Sequence, residues 1–186
     1  MTNLDAALLP ILDSIQAQIN VFTQVYGRLR IEMVKGVDNL VSIDKDKPRK
    51  LPVYWDQTKK RSIPILPDQK KGGLLFFVTT GAVKVVNPEP GWVIQTQTQT
   101  KQYPLALLAW WDSSKQAFSR EQVQLAIETA LGSCFDWQTE SIEDQLATRV
   151  FRDLDYDFTN HGYLMNPFVG LRIEGTLTVV ESLCNS

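Results

Sequence analysis

The sequence predicts a single α+β domain over residues 1–186, with an N-terminal helix and two further helices packed on a mostly antiparallel sheet. Three observations predict it. A stripe of apolar residues at helical spacing opens the chain, strand-like runs fill its middle and close it, and two helix-start signals stand between them. No internal repeat is visible.

Taken in order, Leu4, Leu8, Ile11, Leu12, Ile15, Ile19, Phe22 and Tyr26 recur at steps of three and four, with Asp5, Asp13, Gln16 and Asn20 on the other side. This reads as an amphipathic helix from Leu4 to Tyr26 that Gly27 stops. Pro10 lacks an amide proton, so it predicts either a kink or a later helix start. From Arg28 to Gly73 no period persists, and Pro48, Pro52, Pro64 and Pro67 alternate with lysines and arginines. Short extended pieces are predicted at Leu29–Val34 and Val53–Trp55, and a basic, proline-containing loop or hairpin arm at 44–73.

Four strand-like runs follow: Leu74–Thr80, Ala82–Val86, Trp92–Tyr103 and Leu105–Trp111. Gly81 predicts a bulge or bend, and Asn87–Gly91 a turn. Gln95, Gln97 and Gln99 alternate with threonines, so both faces are polar and the stretch is expected to leave the core as an edge or projecting arm. Ser119 with Gln122 reads as a capping box for a helix whose apolar face is Val123, Ala126, Ile127, Ala130 and Leu131. A further helix is predicted from Ser141, with Asp144 three residues on and Ile142, Leu146 and Val150 as its stripe. The last strand alternates Val169, Leu171, Ile173, Leu177 and Val179 with Arg172, Glu174, Thr176 and Thr178.

Composition narrows the function. With 44% hydrophobic and 22% charged residues the chain is neither disordered nor collagen-like. At this size a fold buries roughly 70% of the unfolded surface, enough for a core without metal or disulfide support. The apolar runs Leu74–Val83 and Gln102–Trp111 are ten residues each, where a membrane helix needs about 20, so no membrane association is expected. Met1–Asp5 does not read as a secretory signal, which makes cytoplasmic synthesis the expectation. Cys134 and Cys184 read as buried thiols more than as a bridge, and their mutual distance stays open.

Charge is unevenly spread. Residues 44–71 hold nine Lys/Arg against four Asp/Glu, net +5, whereas Cys134–Asp157 carries seven acids against Arg149 and Arg152, net −5. Lys45, Lys47, Arg49, Lys50, Lys59, Lys60 and Arg61 are candidate interaction residues on the basic side, with Asp153, Asp155 and Asp157 on the acidic side. Interleaved with Tyr54 and Trp55, the basic segment could meet nucleic-acid phosphates and stack a base; a solvated loop is the favoured reading. A third reading docks it on the acidic segment of a neighbouring copy, head to tail, which closes a ring or builds a filament; a ring that salt dissociates is the expectation.

Catalytic, cofactor and metal residues are not assigned. Asp153, Asp155 and Asp157 open like a calcium loop, but the sixth and twelfth positions are Phe158 and Leu164 instead of glycine and glutamate. His161, the only histidine, falls in a turn-like Thr159–Gly162 and would have to carry any hydrolase chemistry with the acids near it. Gly72 and Gly73 precede a strand and so do not form a phosphate loop. Trp55, Trp92, Trp110, Trp111 and Trp137 read as core or subunit contacts before a binding platform.

The helix Leu4–Tyr26, the polar arm Trp92–Tyr103 and the closing strand Phe168–Val180 together resemble the layout of tail-completion proteins of tailed phages and prophages, of the tail terminator type. The resemblance is one of pattern over most of the chain. It implies a non-enzymatic α+β subunit, without catalytic residues or cofactor, that forms a ring, caps a tail tube, meets head-connector proteins and becomes part of the virion. A nucleic-acid-binding module using 45–71 and a hydrolase around His161 are the alternatives.

Overall fold

The computed structural model describes residues 3–35, 48–56, 58–67, 72–86, 98–115, 118–134, 136–144, 147–155 and 167–182. Helix α1 (Asn3–Gln18) buries Leu4, Leu8, Ile11, Leu12 and Ile15 and runs through Pro10. It does not continue to Tyr26. The chain turns at Ile19 and becomes strand β1 (Phe22–Val34), which takes in Phe22, Tyr26 and Gly27. Valine, threonine and aromatic residues crowd 21–26, and they suit a pleated surface better than a helix.

The basic region is more regular than its prolines suggest. Strands β2 (Arg49–Asp56) and β3 (Arg61–Pro64) form an antiparallel meander with the C-terminal half of β1. Pro52 sits inside β2, yet its carbonyl still accepts the Ile65 amide at 2.8 Å. At the β2–β3 turn the Asp56 carboxylate accepts the amides of Thr58 and Lys59, and Lys60 adopts a left-handed φ of 49°.

The N-terminal half of β1 runs parallel to β4 (Gly73–Thr79), the one parallel pair among the described residues. The predicted runs on either side of Pro104 are a single strand, β6 (Thr98–Asp112), and Pro104 contributes its carbonyl to the Thr80 amide at 3.0 Å. After the bend at Gly81, β5 (Lys84–Val86) continues along the same edge of β6 that β4 occupies. The other edge pairs throughout with β8 (Phe168–Ser182), and β8 pairs with β7 (Trp137–Glu143). The order is β3-β2-β1-β4-β6-β8-β7. The predicted turn at Asn87–Gly91 lies outside the described residues.

Helix α2 (Arg120–Gly132) has the predicted capping box and buries the five predicted residues. The helix expected from Ser141 is replaced by strand: Ser141 and Ile142 belong to β7, and only a one-turn α3 (Ala147–Val150) follows. Asp144 pairs with Arg120 at the start of α2, a use that local spacing does not reveal.

The sheet has a core on each face. Leu75, Phe77, Leu107, Trp111 and Ile173 meet α1 and α2; Leu74, Phe76, Leu108 and Trp110 meet Leu51, Ile65, Phe151 and Leu154 on the other side. Residues 74–78 are buried on both faces, which explains their unbroken apolar run. Across the β7–β8 pair, a Cβ on Gly175 would come within 2.5 Å of Trp137 Cζ2 and press on the Gln138 carbonyl. Gly175→Ala should therefore cost about 1–3 kcal/mol by forcing the strands apart. An unchanged denaturant midpoint would contradict that close approach.

Candidate functional surface

Strand alternation on the meander decides what it presents. Arg30 stands opposite Val53, and Trp55 opposite Ser62. Continuing the first register by two residues sets Arg28 level with Trp55, so Arg28, Arg30, Glu32, Trp55 and Ser62 share one face. They line a groove of about 590 Å³. Trp55 is 56% exposed, whereas Trp110, Trp111 and Trp137 are core residues, and Trp92 lies outside the described residues. Tyr54, also exposed, packs on Tyr26 with centroids 5.6 Å apart.

The charged residues of the groove are Arg28, Arg30 and Glu32, whereas Lys50, level with Met33, and Arg61, level with Asp56, fall on the opposite face by the same alternation. Arg28 is tied to Asp5 of α1 at 3.2 Å, which fixes the helix to β1. Arg30, Lys50, Lys60 and Arg61 form no ion pair among the described residues. Asp56 faces Lys59 at 3.8 Å. The amide of Lys59 first, against slight desolvation, then the Thr58 amide and the charges of Lys59 and Arg61 hold the Asp56 carboxyl below its ordinary range.

The acidic segment is largely engaged within its own chain. The Asp155 carboxylate accepts the Lys50 amide at 2.7 Å, and the Asp155 amide donates to the Lys50 carbonyl at 2.9 Å. Basic strand and acidic turn thus touch within one molecule through backbone groups and the Asp155 carboxylate. Asp153, at a left-handed φ of 71°, lies 3.5 Å from Arg172, which is 1% exposed and also binds Glu174 and the carbonyls of Val150 and Arg152. Glu143 pairs with Arg149, and Glu140 accepts from Thr176.

Of the other predicted residues, Arg49 and Lys50 open β2, Lys59 and Lys60 form the turn and Arg61 opens β3. Gln99 is paired along β8, and from Thr100 onward β6 is flanked by both β8 and β5, so the described part of this stretch belongs to the sheet and does not project from it as an arm. Lys45, Lys47, Gln95, Gln97, Asp157, His161 and Cys184 lie outside the described residues. The sequence reading missed Arg28 and Arg30. Their alternation with Glu32 would have marked them, had the strand been started before Leu29.

Two further places bring polar or nucleophilic side chains together. Tyr103 donates to Glu181 at 2.5 Å, and burial together with that carboxylate pushes its hydroxyl up to about 12. A groove of about 490 Å³ between α1, α2 and β8 includes the partly buried, free thiol of Cys134. Among the described residues no three His, Cys, Asp or Glu converge to hold a metal, and no helix is long and apolar enough to cross a membrane.

Fold and surface together define an α+β protein with α1 and α2 on one face of a mixed sheet, the short α3 on the other, and a β1–β3 meander that exposes Tyr54 and Trp55. No family model matches this sequence, and no curated protein is detectably similar to it.

Proposed function

We propose that this chain is a non-enzymatic assembly subunit that acts by binding copies of itself and other tail or head-connector proteins, as a phage or prophage tail-completion protein of the terminator type would. The observation that carries the reading is where apolar surface stays open. Of the eleven large hydrophobic residues exposed among the described ones, eight (Ile31, Met33, Tyr54, Trp55, Val83, Val85, Val86 and Val180) lie on the meander or around β5. The register Val86–Thr100–Val180 puts the last of these in one row. Concentrated exposure of this kind marks contact surfaces.

On this reading apolar contact contributes more to assembly than charge does, because the open surface on the meander and around β5 is apolar. Light scattering across concentration and ionic strength should show mass rising to a fixed multiple. Met33→Lys and Val180→Lys, both at exposed positions, should shift assembly to higher concentration without lowering the melting temperature. His161→Ala should leave assembly and function intact. A strict monomer at high concentration and low salt, with no ring by electron microscopy even beside tail tubes, defeats the proposal.

A further inference from the structure

We propose that the groove faced by Trp55 binds a neutral oligosaccharide. One flat apolar surface and both kinds of polar group stand open there. The Trp55 indole is 56% exposed. Arg30 and Glu32 line the same groove and form no ion pair among the described residues, while the charge of Arg28 is met by Asp5. A fitting ligand therefore offers acceptors to the Arg30 guanidinium and donors to the Glu32 carboxylate, and brings no net charge of its own. Hydroxyl groups do both. Ser62, directly across from Trp55, adds a hydroxyl from the protein side that can give or take a further bond. The C–H-lined face of a sugar ring completes the match, because its polarised hydrogens can lie flat on the negative face of the indole.

Strand register sets the length of the site. Arg28 stands level with Trp55, Arg30 one row further and Glu32 two, so the groove runs about 13 Å from indole to carboxylate, the length of two or three sugar rings. A second hollow of about 390 Å³ shares Arg28, Arg30 and Glu32 and adds Thr79 of β4. A polyanion would gain Arg30 but be repelled by Glu32, and a polycation would meet the converse. A hydrocarbon would leave both ions without partners. The amides of a peptide could serve both, but an extended peptide gains most at a sheet edge, and this groove lies on the face of the meander. Ile31 and Met33, opposite Pro52 and Lys50, alternate to the other face, so saccharide binding and assembly are separable.

The test uses the full chain and isothermal titration calorimetry with maltohexaose, cellohexaose and chitohexaose, with glucose, oligothymidylate and a neutral hexapeptide as comparators. Wild type should bind at least one of the three hexasaccharides roughly tenfold or more tighter than glucose, because only the longer ligand reaches from Trp55 to Glu32. Salt should change that affinity little, since no net charge is neutralised. Trp55→Ala should weaken binding roughly 10- to 100-fold, and Trp55→Phe should restore most of it. Arg30→Ala and Glu32→Ala should each weaken it by about the same factor, as the loss of a hydrogen bond to a charged group does. Met33→Lys, on the other face, should bind as wild type. Equal melting temperatures across the variants would exclude unfolding as the cause. The assignment is overturned if none of the three hexasaccharides binds, if Trp55→Ala binds as wild type, or if oligothymidylate or the peptide binds as tightly as the best saccharide. The first of these outcomes, together with lost self-association in Trp55→Ala, would make the groove a contact between copies.

Discussion

Arg172→Ala should destabilise the protein by about 3–5 kcal/mol, the loss expected when one partner of a buried ionic network is removed. Arg172 is 1% exposed and its guanidinium holds four groups: Glu174 at 2.8 Å, Asp153 at 3.5 Å and the carbonyls of Arg152 at 3.0 Å and Val150 at 3.5 Å. Taking it away leaves those oxygens facing a cavity and loosens the turn that carries Asp155 onto β2. Total stabilities of about 5–15 kcal/mol make this a large share. Arg172→Lys keeps a charge but loses the planar fork, so it should recover little. Chemical denaturation reads all of this; a loss under about 1 kcal/mol for Arg172→Ala would mean that water replaces the guanidinium freely.

The same cluster sets the acid side of the stability curve. Burial works against ionisation of Glu174, but the Arg152 and Arg172 hydrogen bonds outweigh it and hold the carboxyl below the ordinary glutamate range. A carboxylate with a depressed folded value contributes stability above its unfolded pKa and loses it as pH falls through the folded one. Glu174→Gln should accordingly flatten the decline in stability below the ordinary carboxylate range, compared with wild type.

What the sequence made legible depends on whether one local pattern had one physical cause. Helix α2 was readable because the Ser119–Gln122 box and its apolar face describe the same thirteen-residue helix. Strands β4 and β8 were readable because burial on two faces and on alternate faces leaves distinct patterns. Phe22 and Tyr26 misled because they fall at helical spacing from Ile15 and Ile19 while belonging to β1; the count fits, but the β-branched and aromatic residues around them favour a strand. Ser141 and Asp144 mimic a helix cap, yet Asp144 is held by Arg120 from α2. Proline density hid the meander, since Pro52 and Pro64 lack donors but can still sit in a ladder through their carbonyls and neighbours.

The candidate surface was only half readable for a related reason. Charge blocks along a chain do not tell which charges meet in space. Lys50 and Asp155 are 105 positions apart and are joined by backbone and carboxylate together, so an aspartate that looked available to a neighbour is bonded within its own chain. Trp55 was visible from the start, but its place beside Arg28 and Arg30 in one groove needed the register of β1 against β2, which the sequence alone left undefined.

Trp111→Ala should cost about 3–5 kcal/mol, while Trp111→Phe should cost far less than the volume removed implies. Trp111 is fully buried between the helices and the sheet and meets Phe22 edge-on at 6.0 Å. Alanine would empty the centre of that core and deprive Phe22 of its ring partner. Its indole Nε1, however, finds no acceptor among the described residues. A buried donor left unsatisfied forfeits about 1–3 kcal/mol of hydrogen bonding to water. Phenylalanine gives up some apolar area and removes that donor, so the two effects oppose each other and the net change should stay within about 1–2 kcal/mol. Denaturant unfolding of the two variants tests it directly: equal, large losses would mean that Trp111 Nε1 is satisfied in solution, and the difference between them measures how much of this core depends on shape and how much is given back by the orphaned N–H.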